Sequence, residues 1–150
     1  MTEFRIVRTA RCSPEAAWQR LTRWEAHAAH VPLTTITVTT PPPTGPGTTF
    51  VARTALGPLA FDDVMRVVRW EPPARSGSGA AASGRCRLEK RGRAVRGWSE
   101  IEVGPHAAGG CRIVWRGEIH PRGLPAALQP LTARPAGLLY ARILRGLVAG

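Results

Sequence analysis

Cys111-Arg112-Ile113-Val114-Trp115-Arg116-Gly117-Glu118-Ile119-His120 is the stretch on which the fold turns. Its odd positions, Cys111, Ile113, Trp115, Gly117 and Ile119, are apolar or small; most even positions, Arg112, Arg116, Glu118 and His120, are polar. Successive side chains of a strand point to opposite faces, so this alternation predicts a strand with one face in a core. Downstream, Pro121, Pro125, Pro130 and Pro135 interrupt the chain, and a different period takes over. Leu138, Leu139, Ile143, Leu144, Leu147 and Val148 form a broad apolar stripe at helical spacing. Pro135 suits a first helical position, which predicts one unbroken helix from there to about Val148.

Upstream, the chain reads as a series of strands. Gly109-Gly110 is a turn, and Arg93–Val103 and Arg85–Arg91 pair through a turn at Gly92. Ser76 to Ser83 is small and polar, a loop or hairpin tip. Leu59 to Trp70 is a long strand stopped by Pro72-Pro73, and Gly57-Pro58 joins it to a strand over Thr48–Leu56. The run Pro41-Pro42-Pro43-Thr44-Gly45-Pro46-Gly47 is a turn after a β-branched strand over Thr34–Thr40. Near the start, Phe4, Ile6 and Ala10 alternate with polar residues in a strand over Glu3–Arg11. Ser13-Pro14-Glu15 then opens a helix with a cap, a first-turn proline and an acid of the right sign for the dipole. A second short helix carries Trp24, Ala28 and Val31 and ends before Pro32. Strand, two short helices, about six strands and a long helix is not a βα alternation; helices on one face of an antiparallel sheet fit it.

At 150 residues the chain suits a single domain over 1–150 that needs neither disulfides nor metal. Cys12, Cys86 and Cys111 are odd in number and form no C-x-x-C pair. With no apolar leader and no run near the length of a membrane span, they predict a reduced, cytoplasmic protein. The net charge is +11, and of 21 basic residues only Lys90 is a lysine. The plain reading is the coding bias of a GC-rich genome; the functional one is an anionic partner. The densest basic cluster, Arg85, Arg87, Lys90, Arg91, Arg93 and Arg96, predicts a positive ridge on one hairpin. Trp98 is its one nearby aromatic, so the ridge fits an acidic protein or an anionic surface better than nucleic acid.

Four stretches carry a family resemblance: Cys12-Ser13-Pro14-Glu15-Ala16-Ala17-Trp18 with Leu21-Thr22-Arg23-Trp24-Glu25; Gly47-Thr48-Thr49-Phe50; Val68-Arg69-Trp70-Glu71-Pro72-Pro73-Ala74-Arg75; and Gly109-Gly110-Cys111-Arg112-Ile113-Val114-Trp115. With the terminal helix, the chain resembles the START-like (SRPBCC) superfamily, within it the bacterial polyketide cyclase/dehydrase and lipid-transport group. The resemblance implies an α+β helix-grip fold: a curved antiparallel sheet of six to seven strands wrapped on a long C-terminal helix, with two short helices after the first strand. It implies a cavity between sheet and helix for a small hydrophobic ligand, with no cofactor and no catalytic motif to carry over. The basic hairpin is not a family feature.

Strand parity then places Phe50, Ala52 and Thr54, Val95, Gly97, Ser99, Ile101 and Val103, and Ile113, Trp115 and Ile119 on the concave face, with Leu139 and Ile143 opposite. The Leu59–Trp70 strand is ambiguous: Phe61, Met65 and Val67 favour one face, Val64 and Val68 the other. Taking the first brings Asp63 and Arg69 inward as a pair able to anchor a ligand or a water. Asp63, Arg69, Ser99 and His120 are the candidate proton-handling residues. His27 and His30, three apart on a short helix, share a face but have no third ligand at a motif spacing, so no metal is expected and both read as surface residues. Cys111 reads as a buried, inert thiol.

The reading leans to a carrier or sensor of a lipid or aromatic polyketide-like molecule, as monomer or homodimer, entered beside the Gly57-Pro58 turn or near Pro121–Pro130. The alternatives are an aromatase/cyclase acting on an acyl-carrier-bound poly-β-ketone and an interaction module built on the arginine-rich hairpin.

Overall fold

The computed structural model describes residues 3–74, 83–123 and 133–148. The expected Ser76–Ser83 loop is described only at Ser83, and the Pro125 and Pro130 interruptions lie outside the described residues. Strand β1 (Glu3–Ala10) leads into helix α1 (Pro14–Leu21) and a short 3₁₀ helix (Trp24–His30). Strands β2 (Thr34–Val38), β3 (Thr49–Leu56), β4 (Leu59–Glu71), β5 (Gly84–Arg91), β6 (Val95–Pro105) and β7 (Cys111–Pro121) follow, then helix α2 (Ala133–Val148). All seven strands form one curved antiparallel sheet in the order β1-β7-β6-β5-β4-β3-β2. This is the helix-grip architecture, with α2 packed on β1 and β7 and against both short helices.

Helix α1 starts where its cap dictates. The Ala16 amide donates to Ser13 Oγ at 3.1 Å, and Pro14 occupies the first turn, where no amide is needed. Ser13→Ala should cost about 1 kcal/mol, read from the urea midpoint. Helix α2 begins at Ala133 rather than Pro135. Pro135 is still in the first turn, where its missing N–H leaves no carbonyl unpaired.

Strand β4 does not keep one parity. Its register with β5 runs Met65↔Lys90 and Val67↔Leu88, then shifts, so that Arg69 faces Arg87 and Trp70 faces Cys86. The inserted residue flips the face of everything beyond it. Asp63 and Met65 line the concave side and Val67 is buried, whereas past the bulge it is Trp70 that turns in and packs on Trp18 at 5.0 Å. The expected inward Arg69 is therefore corrected: it lies outside, 3.3 Å from Glu71.

The strand β5 pattern corrects the basic ridge. Cys86, Leu88 and Lys90 share one parity and are all buried, Lys90 to 3% exposure. Lys90 belongs to the interior.

Beneath α1 the sheet is fully packed. Val67, Ile101, Val103 and Ile113 are all inaccessible to solvent. Gly97 (φ +136) is a glycine by necessity: a Cβ there would collide with the Glu118 carbonyl on β7. Among the described residues no helix is long and apolar enough to cross a membrane.

Candidate functional site

At the other end, the sheet, the 3₁₀ helix and α2 leave a cavity of about 470 Å³. That lies within the range of about 300–1,000 Å³ for small-molecule sites. Phe50, Thr54, Phe61 and Met65 reach it from β3 and β4, Ser99 from β6, Trp115 and Ile119 from β7, and Leu139 and Ile143 from α2. Five residues expected on the concave face do not reach it. Val67, Ile101, Val103 and Ile113 belong to the packed core, and Gly97 serves the β6–β7 approach.

The wall also holds residues that parity alone did not assign. Trp24, His27 and Val31 come from the short helix, Thr34 and Ile36 from β2, Leu88 from β5 and Tyr140 from α2. Trp24 and His27 stand three apart on a 3₁₀ helix, whose period of about three puts them on one face. Trp24 stacks on Phe50 at 4.7 Å, and His27 meets Trp115 edge-on at 5.7 Å. His27 is thus buried (8% exposed), a correction to its reading as a surface residue. Its Nε2–H donates to the Leu21 carbonyl at 2.7 Å. Burial lowers its pKa to about 4 despite that hydrogen bond, with His30 adding repulsion. Its ring is therefore neutral at physiological pH.

The candidate proton-handling residues divide. Ser99 Oγ accepts the Trp115 indole N–H at 2.5 Å and so fixes that ring. His120 projects to the outer face, 3.1 Å from Glu118, because it has the opposite parity to Ile119. Asp63 lies in the wall, paired with Lys90 rather than Arg69. Behind the wall, Lys90 Nζ also approaches Met65 Sδ at 3.6 Å. Burial disfavours the Lys90 ammonium, but the Tyr140 phenol and Asp63 carboxylate outweigh it and raise the pKa above the ordinary lysine value. Among the described residues, two buried polar atoms of wall residues have no hydrogen-bond partner: Asp63 Oδ1, an acceptor, and Trp24 Nε1–H, a donor.

The outer face of the hairpin is a mixed-charge lattice. Arg85 pairs with Glu102 at 2.8 Å, Arg87 and Arg116 each reach Glu100 at 3.2 Å, and Arg91 pairs with Glu89 at 2.6 Å. Arg87 also lies over the Trp98 ring at 4.4 Å. Glu100 is buried, which favours its neutral form, yet Arg116 and Arg87 hold its pKa below the ordinary value. Arg93 and Arg96 are exposed beside this lattice. Its acids alternate in phase with the arginines, which the count of basic residues alone does not reveal.

Cys111 and Cys86 are buried, and burial raises their pKa values to about 11 and about 12. Neither is a nucleophile at neutral pH. Among the described residues no cluster of His, Cys, Asp and Glu is arranged to hold a metal ion.

The fold is shared with solved structures of low identity. A Thermus thermophilus protein superposes with a TM-score of 0.69 at 15% identity, covering 98% of this chain and 94% of that one. A START superfamily protein from Mycobacterium smegmatis gives 0.67 at 11%, covering 98% and 97%. The Zhui aromatase/cyclase from a Streptomyces species gives 0.62 at 11%, covering 98% and 91%. At identities this low, these superpositions show a common fold alone. A search of curated proteins finds no significant match to the sequence. The profile of one family does match, over residues 1–149, and the chain therefore belongs to the polyketide cyclase/dehydrase and lipid transport family.

Proposed function

We propose that this chain, as one domain over residues 1–150, holds a small hydrophobic molecule, a lipid or an aromatic polyketide-like compound, as a carrier or sensor. The observation that carries the reading is the cavity of about 470 Å³ at one end of an otherwise packed core. Space of that size forfeits packing contacts unless something fills it. Each Å² of apolar ligand surface buried there is worth roughly 25 cal/mol before the costs of association. The polar wall groups support holding over chemistry. Asp63 is committed to Lys90 behind it, Ser99 accepts from Trp115, and His27 donates to the Leu21 carbonyl. The free thiols Cys12, Cys86 and Cys111 suit a reducing, cytoplasmic setting.

A second reading, an aromatase/cyclase acting on a carrier-bound substrate, is favoured by one observation. Asp63 and the Tyr140 phenol stand together in the cavity wall, and such groups can move protons in an aldol condensation and dehydration.

Native mass spectrometry of the purified protein, with organic extraction, separates the readings. A stoichiometric apolar compound recovered unchanged supports the carrier, and one recovered in altered form after incubation supports the cyclase. Ala52 lines the cavity between Ile36 and Asp63. Ala52→Trp should occupy part of it and weaken ligand binding at least about tenfold while the protein still melts cooperatively. A bare protein whose melting temperature no apolar ligand moves would end both readings.

A further inference from the structure

The cavity wall carries an electrostatic preference that says what kind of molecule fits. Among the described residues, the one carboxylate in the wall is Asp63, and no arginine or lysine joins it there. The nearest cation, Lys90, does not line the cavity, and its ammonium is occupied by Asp63 Oδ2. His27, the other titratable group of basic type in the wall, is held neutral by burial. An anionic ligand would thus lose its hydration, find no cation and meet a carboxylate. The two unpartnered buried atoms point the same way. Asp63 Oδ1 needs a donor and Trp24 Nε1–H needs an acceptor, and a buried group left unsatisfied is costly.

We infer that the cavity selects a neutral, hydroxyl-bearing apolar molecule, whose O–H donates to the partly exposed Asp63 carboxylate, over carboxylates and over pure hydrocarbons. The inference rests on the binding reading above and narrows its ligand class to phenols, enols and alcohols. A hydrogen bond to a charged acceptor is among the stronger kinds, so the hydroxyl should be worth at least about tenfold in affinity.

The test is a titration of the full chain, followed by tryptophan fluorescence and calorimetry, with naphthalene, naphthol and naphthoate at neutral pH. These share one ring system and differ only in carrying a hydrogen, a neutral donor or an anion. The expected order is naphthol about tenfold or more tighter than naphthalene, with naphthoate weakest. In Asp63→Leu/Lys90→Met, which removes both charges together, naphthalene should still bind and the preference for naphthol should vanish. Naphthol binding no tighter than naphthalene, naphthoate binding tightest, or a preference that survives the double substitution would overturn the inference and leave the hydrophobic-binding reading standing. If none of the three binds, that reading falls and this one with it. The order of the three ligands on the unaltered protein decides the matter even where the variant does not fold.

Discussion

Lys90→Met should destabilise the fold by about 3–5 kcal/mol, a large share of the roughly 5–15 kcal/mol that holds a domain together. The Lys90 side chain is 1% exposed and its ammonium is the charge partner of Asp63, itself only 16% exposed. Methionine matches the length of the lysine stem but supplies no charge, so the Asp63 carboxylate is stranded with Oδ1 already unpartnered. The penalty comes from the abandoned anion more than from the lost attraction. Removing the anion as well should therefore recover much of it, so Asp63→Leu/Lys90→Met should be more stable than Lys90→Met alone. Urea unfolding of the wild type, both single variants and the double variant measures the coupling. A single-variant cost below about 1 kcal/mol would mean that Asp63 does not depend on Lys90. The pair also sets an alkaline limit. The folded-state pKa of Lys90 lies above the ordinary value of 10.5. Its contribution is thus complete below that value and is lost only as pH rises through the folded-state pKa.

The same pair shows where the sequence was legible and where it stopped being so. Strand β7 could be read residue by residue because it is regular, with one face buried along most of its length. The succession of strands along the chain and the closing helix followed from the turns and from the change of period after Pro121; the pairing of β1 with β7 did not. Strand β4 could not be read that way. Its two competing apolar patterns, Phe61-Met65-Val67 and Val64-Val68, are the trace of a bulge near Val68, and a single parity applied across it sends Arg69 to the wrong face. The partner of Asp63 was accordingly misassigned, although the inward parity of Cys86 and Leu88 extends to Lys90. His27 looked like a surface residue because its burial depends on Trp115 and on the 3₁₀ turn that carries it, neither of which is local information. The division of the concave face into packed core and cavity was not legible at all. Ile101 and Trp115 are cross-strand neighbours in the same alternating pattern, yet only Trp115 reaches the cavity. Which apolar residues close on one another depends on where α1 and α2 sit above the sheet.

Acidification should remove about 3 kcal/mol of stability through His27 alone. The folded-state pKa is about 4 against an ordinary 6.5, so between those values the unfolded chain binds a proton that the folded chain refuses. A base depressed by folding contributes stability that is complete above 6.5 and drains away as pH falls toward 4. The refusal is structural. Nε2–H is held by the Leu21 carbonyl, the ring packs on Trp24 and Trp115, and an imidazolium there would lie against apolar rings with His30 adding repulsion. Carboxylates lose their partners over a neighbouring range, so the total acid loss is not diagnostic; the difference from a variant is. His27→Gln retains an N–H donor for Leu21 and does not titrate. Its stability should fall less steeply than that of the wild type between pH 6.5 and 4, with the curves converging by about 3 kcal/mol at the acid end. Chemical denaturation at half-unit intervals, with the His27 ring followed by NMR, gives both quantities. Parallel stability curves would mean that the imidazole titrates as freely in the folded protein as in the unfolded chain. The ring could then not be sealed between Trp24 and Trp115, and the wall that this end of the cavity depends on would be open to water.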